Sequence, residues 1–256
     1  MVLDKLQHDH ASLSACSGVS KAFWLYCRRH IFAEVKVPEG GLFTESQQYL
    51  MRLFELMTNK KHPIGHFIQR FQVNNLNYED VNSSIFASVL EELIRHKRLK
   101  CMDIHRQAIW IPYYAPKYAW NSIDARVREA LQTLLLSSHL EEWRFDHIDK
   151  IPSTVFNGSK IRHLSLGDAR PENEIYLGSL PSPPPLKSLR IQHFFPVIDT
   201  ERPVKSCFHL TTLEITCHGY MDFSPSIQAV FDQSRESLQY LAILRELINV
   251  MHRVSY

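Results

Sequence analysis

Residues 160–217 read KIRHLSLGDARPENEIYLGSLPSPPPLKSLRIQHFFPVIDTERPVKSCFHLTTLEITC, and three apolar triples of one shape stand in that stretch. They are Ile161-Leu164-Leu166, Leu186-Leu189-Ile191 and Leu210-Leu213-Ile215, each spaced L-x-x-L-x-L. The last two members of a triple lie two residues apart and so point to one face of a strand, while the residue between them points to the other. Turn-rich or charged text, GDARPENE and SLPSPPP, separates the triples. The pattern predicts short strands, one per unit, joined by loops.

Working outward, the same shape recurs upstream as Ile68-Phe71-Val73, Leu99-Met102-Ile104 and Leu140-Trp143-Phe145, and downstream as Leu238-Leu241-Ile243. The intervals between successive triples are 31, 41, 21, 25, 24 and 28 residues. Most fall near the period of about 20–29 residues of a leucine-rich repeat, and the longer ones leave room for an insertion. At 45% apolar content a single loose triple arises by chance at about one position in eleven, so the weight rests on the succession. The last triple is ambiguous, since Leu238 to Val250 also reads as one continuous helix.

Helical patterns lead into several triples. Residues 45–57 place Tyr49, Leu50, Leu53, Phe54, Leu56 and Met57 on one side, and residues 121–137 carry Ile123, Val127, Leu131, Leu134 and Leu135, with Asn121 or Ser122 as the expected cap. Ser224-Pro225 reads as the start of a third helix. Nearer the start, Leu13, Cys16, Val19, Phe23 and Tyr26 form one stripe over Ala11–Cys27, HDH marks a break before it, and IFAEVKV alternates as a strand up to Pro38-Glu39-Gly40-Gly41. The expected fold class is α/β: a short helical module over 1–37, then an irregular leucine-rich-repeat-like solenoid of parallel strands and helices over 42–256. A generic α/β domain is the alternative.

Composition narrows the function classes. The 256 residues are 22% charged with a net charge of +2, which supplies no field to draw in nucleic acid or an anionic membrane. Eight glycines form no phosphate-binding cluster. The five cysteines, Cys16, Cys27, Cys101, Cys207 and Cys217, are scattered and read as reduced thiols of the cytosol or nucleus. The opening MVLDKLQHDH has no apolar run of the kind a secretory signal needs, and the longest apolar stretch, around Leu131–Leu136, is too short to cross a bilayer.

The text LDKLQHDHASLSACSGVSKAFWLYCRRHIFAEVKV resembles the F-box of fungal, mushroom-type F-box proteins, which carry a degenerate repeat domain behind it. Ser12-Leu13, Ala15-Cys16-Ser17, Val19-Ser20, Ala22, Arg28, His30-Ile31-Phe32 and Val35 fall into the family register without a gap, with Phe23 where the family usually has tryptophan. The resemblance implies docking on a Skp-type adaptor of a Skp–cullin–F-box ubiquitin ligase through Leu3, Leu6, Leu13, Val19 and Phe23, which divide between an internal core and the docking face. It also implies that the repeats hold a protein substrate. The family's opening L-P-x-E-[IL] element would lie upstream of Met1, so adaptor docking is expected to be weak or lost. A repeat-type scaffold without a ligase connection is the second reading.

On alternating strands the outward residues at mid-triple are Gln72, Asp103, Arg144, Ser165, Arg190, Glu214 and Ala242, flanked by His105, Asp146 and Gln192. Gln72, Asp103, His105, Arg144, Asp146, Arg190, Gln192 and Glu214 are the expected contacts to a protein partner. The plain alternative is a solvated strand face. Cys207, His209, Cys217 and His218, and the pair His8 and His10, lack the close ligand pairs of a structural zinc site, so no metal and no cofactor is expected. Arg95–Lys100 suits a helix C-terminus better than a nuclear signal, and PSPPP at 181–185 suits an inter-repeat loop better than a polyproline ligand. A nucleophile elbow, a phosphate loop and an H-E-x-x-H helix are all missing, and the expectation is a non-enzymatic protein.

Overall fold

The structure, a computed structural model, describes residues 9–38, 43–74, 81–105, 118–146, 148–167, 180–192, 209–218 and 234–246. Two short helices come first, α1 (His10–Ser17) and α2 (Lys21–Ile31). The single helix expected over Ala11–Cys27 is thus broken at Gly18–Ser20. Asp9 caps α1 by accepting from the Ser12 N–H at 3.0 Å, and Ser20 caps α2 by accepting from the Phe23 N–H at 3.3 Å. A cap residue needs extended backbone, and Ser20 has it (φ −159°, ψ 163°), so the chain must leave the helix there.

The strands follow: β1 (Glu34–Val37), β2 (Arg70–Asn74), β3 (Cys101–His105), β4 (Tyr118–Ala119), β5 (Glu142–Phe145), β6 (Ile148–Asp149), β7 (His163–Leu166), β8 (Ser188–Gln192), β9 (Thr212–His218) and β10 (Tyr240–Glu246). Eight of them form one sheet in the order β1-β2-β3-β5-β7-β8-β9-β10, with every pair parallel. Spatial order therefore equals chain order. β4 and β6 make a separate two-stranded parallel pair. Helix α3 (Phe43–Thr58) lies between β1 and β2, α4 (Ser84–His96) between β2 and β3, and α5 (Ala125–Leu135) between β3 and β5. The shorter step from β5 to β7 holds β6 and the 3-10 turn Ser153–Phe156, with no α-helix among its described residues.

The triples pair side by side. Phe71, Met102, Trp143, Leu164, Leu189 and Leu213 are register partners in sequence, as are Val73, Ile104, Phe145, Leu166, Ile191 and Ile215. All twelve are buried in one continuous core with Leu50, Leu53 and Met57 of α3, Phe86, Leu90 and Leu93 of α4, and Val127, Leu131 and Leu135 of α5. An eighth triple, Phe32-Val35-Val37, stands in the text assigned to the helical module. β1 carries it into the sheet, with Val35 opposite Phe71 and Val37 opposite Val73. The last triple is a strand, not a helix, since Leu241 pairs with Leu213 and Ile243 with Ile215.

Each step between neighbouring strands is closed by the same backbone stitch. The carbonyl one residue into a triple accepts from two successive N–H groups of the next strand. Ala33 accepts from Gln69 and Arg70, both at 2.9 Å, and Gln69 from Lys100 at 2.8 Å and Cys101 at 3.0 Å. Lys100, Glu141, Arg162, Lys187 and Thr211 repeat the arrangement out to Gln239 and Tyr240. The stitch is indifferent to the length of chain between strands, and it fixes the register at one end of each.

Helix ends differ from expectation at α5, which Asp124 caps by accepting from Arg126 and Val127 N–H groups at 2.9 and 3.3 Å, while Asn121 and Ser122 lie in a 3-10 turn. Leu56 of α3 is exposed rather than packed. Arg95 and His96 do end α4: Lys97 takes the left-handed cap conformation (φ 51°), and Arg95 pairs with Glu92 at 2.8 Å. The PSPPP loop runs into β8, and Ser224-Pro225 lies outside the described residues. No described helix is long and apolar enough to cross a membrane.

Candidate functional site

Alternation along the strands turns two rows of side chains away from the core. One row, in register from β1 to β10, is Lys36, Gln72, Asp103, Arg144, Ser165, Arg190, Glu214 and Ala242. The other is Glu34, Arg70, Cys101, Glu142, His163, Ser188, Thr212 and Tyr240. Glu142, Arg144, His163, Ser165, Ser188, Arg190 and Glu214, with Leu164, line a depression of about 310 Å³.

Charge on this face is locally paired. Arg144 donates to Asp103 at 3.4 Å, and Arg190 lies 3.1 Å from Glu214. Arg70 of β2 donates to Glu142 of β5 at 3.1 Å, reaching across β3, and Lys36 sits 3.1 Å from Glu34. The Gln72 amide donates to the Asn74 side chain at 3.0 Å. In β3, between the strands that Arg70 and Glu142 come from, Cys101 is buried. Desolvation and the neighbouring Glu142 charge push its thiol up to about 12, so it is neutral and unreactive near neutral pH.

Of the expected partner contacts, Gln72, Arg144, Arg190 and Glu214 stand half-buried in one register row. Two need correcting. Asp103 is buried, because Arg144 reaches across to hold its carboxylate. Asp146 is buried at the end of β5, where its carboxylate occupies the space a side chain at residue 167 would need, which is why Gly167 fits there. Neither presents a free carboxylate to a partner. His105 and Gln192 hold register positions at the ends of β3 and β8, opposite Asn74 and Thr216, and their side chains lie outside the described residues. His163, Ser165 and Ser188 complete the depression. The alternation marked the place of Ser165, but His163 and Ser188 fall in the second row, outside the mid-triple positions that the pattern singled out.

At the other end, Leu3 and Leu6 lie outside the described residues. Leu13 is fully buried between the helices, which corrects its assignment as a docking residue: it is interior. Val19 is 72% exposed and Phe23 40%, and Leu25 joins them as an exposed apolar side chain the sequence reading passed over. The module is tied to the sheet by Arg28, whose guanidinium stacks 4.3 Å from the Trp24 ring, lies within 6 Å of the Phe32 and Phe67 rings, and donates to the His62 carbonyl at 2.8 Å. Among the described residues no group of histidine, cysteine and acidic side chains is arranged to hold a metal ion; His8 and Cys207 lie outside them, as do the side chains of Cys217 and His218.

No family model, curated protein or solved structure matches this chain.

Proposed function

We propose that the chain is a substrate-recognition subunit of Skp–cullin–F-box type, a repeat solenoid whose outward strand face holds a protein partner while the α1–α2 module faces an adaptor. The observation that carries the recognition half is the in-register row running Gln72, Asp103, Arg144, Ser165, Arg190, Glu214 over adjacent parallel strands. Five strand spacings of ~4.8 Å carry that row roughly 24 Å across, a scale that suits a folded or extended protein segment. The repeat reading is supported by chain-ordered strands and by one stitch used at every step. The adaptor half rests on the F-box resemblance, and exposed Val19, Phe23 and Leu25 are apolar groups of the kind such an interface uses.

One observation favours the second reading, a repeat scaffold with no ligase connection. Burial of Leu13 leaves the described part of the module few apolar side chains for an adaptor, and a stable interface needs about 1,000 Å². Two pull-downs separate the readings. Charge reversal at Arg144, Arg190 or Glu214 is expected to lower recovery of the chain's protein partner while leaving the melting temperature nearly unchanged; equal recovery from all three variants would reduce the face to a solvated surface. Co-purification with a Skp-type adaptor is expected to be weak for the chain as it stands and clear when an L-P-x-E helix is fused upstream. An extended chain that still ignores the adaptor, while the strand face keeps its partner, leaves the scaffold.

A further inference from the structure

The outward row has a gap in its charge alternation. From β3 to β9 it reads Asp103 (negative), Arg144 (positive), Ser165 (neutral), Arg190 (positive), Glu214 (negative). Each arginine is held on its far side by a carboxylate, Arg144 by Asp103 at 3.4 Å and Arg190 by Glu214 at 3.1 Å, so both guanidiniums are anchored on either side of Ser165. The Ser165 hydroxyl between them is buried and makes no hydrogen bond. Buried hydroxyls are ordinarily satisfied, and one left open in a depression is a donor awaiting an acceptor.

Distances decide what the gap attracts. With strands ~4.8 Å apart, a negative group over Ser165 has the two arginine positions at one spacing and the two carboxylate positions at ~9.6 Å. Coulomb energy falls as the inverse of distance, so the nearer arginines outweigh the farther carboxylates of the row, and screening over a Debye length of about 8 Å weakens the farther pair more. Two further carboxylates stand nearby. Glu142 of β5 is engaged with Arg70 on β2, on the side of β5 away from Ser165, and Asp146 is buried against Gly167, two residues along the strands from the gap. His163 and Ser188, in the second row beside the gap, add further side chains able to donate a hydrogen bond to an anion.

We propose that Arg144, Ser165 and Arg190 form a subsite for a single carboxylate, an aspartate or glutamate side chain of the bound protein. A monoanion completes the alternation, each arginine then being shared by two carboxylates, whereas a dianion would add a second negative charge that the row has no cation to meet. The assignment rests on the reading of this face as the partner surface and gives that surface a ligand chemistry.

The test is a titration of the full chain followed by the arginine Nε–Hε NMR signals, with N-acetyl-glutamate methylamide as probe and the glutamine and phosphoserine analogues as controls. The glutamate probe is expected to shift the Arg144 and Arg190 signals saturably and the glutamine probe not at all. Ser165→Asp places a carboxylate in the gap from within and should abolish the response. Arg190→Gln should weaken it at least about tenfold, the loss of one charge-assisted contact. Equal shifts from glutamate and glutamine, a response to phosphoserine alone, or an undiminished response in folded Ser165→Asp or Arg190→Gln protein would each overturn the assignment. If the probe fails while Arg190→Glu still loses the partner in the pull-down, the face remains a partner surface and only the ligand class falls.

Discussion

The two edge strands of the sheet carry the same sequence pattern and meet opposite fates. At one edge β1 presents Val35 and Val37, both buried; at the other β10 presents Leu241 and Ile243, which are 45% and 42% exposed. Both strands are joined to their single neighbour in parallel register by the same stitch, at Ala33 for β1 and at Thr211 for β10. The difference lies in what stands over them. β1 has α3 packed beside it and Arg28 bridging from α2 to the His62 carbonyl and the Phe67 ring. Leu241 and Ile243 have no cover of that kind among the described residues. A triple therefore makes a strand wherever a neighbour offers its hydrogen bonds, and makes core only where a second layer excludes water.

That contrast is sharpest at a register pair. Leu213→Ala on β9 removes a fully buried side chain and should cost about 2–5 kcal/mol of unfolding free energy, while Leu241→Ala, its partner on β10, should cost less than about 1 kcal/mol. Urea denaturation of both variants measures the gap, and equal losses would mean that β10 is covered in solution. At the opposite edge, Arg28→Ala should cost about 2 kcal/mol, combining a charge-assisted hydrogen bond with a ring contact, and should raise amide exchange in α2 before the central strands. Exchange that rises uniformly would argue against Arg28 as the tie.

A smaller effect separates outward residues that are covered from those that are open. The Cys101 thiol is raised to about 12 in the folded chain, against about 9 when unfolded, so its contribution to stability is complete below pH 9 and is lost as pH climbs toward 12. Wild type should therefore lose more stability than Cys101→Ala between pH 8 and 10.5. Iodoacetamide at pH 8 should also modify the partly exposed Cys16 well before Cys101. The least effect is expected at the exposed pair joining α4 to α5, where Arg126 lies 2.6 Å from Glu91: Arg126→Gln should barely move the melting temperature, and less still at high salt.

Much of the sheet was legible because the signal is local. Alternation over five residues fixes which side chains share a face, and six of the seven triples read from the text became buried register partners. The eighth, Phe32-Val35-Val37, was equally legible as a pattern but lay within text that also fits a helical module, so it was divided from the sheet it begins. The stitch left no trace in the residues, since backbone carbonyls of alanine, glutamine, lysine, glutamate, arginine and threonine all serve. On the outward face the alternation named Arg144, Arg190 and Glu214 but also Asp103 and Asp146, which are buried. Whether a short acid stays in water depends on whether a longer neighbour, or a glycine one strand away, closes over it.

The sequence by itself determined the strands, their direction of facing and the residues that could line a common row, because those follow from the two-residue period of an extended chain. Only the tertiary structure decided which rows are covered, that Leu13 belongs to the interior, and that two arginines anchored by carboxylates flank a serine whose hydroxyl makes no hydrogen bond. Burial and charge pairing are set by side chains that meet across strands far apart in the chain, and no local period carries that information.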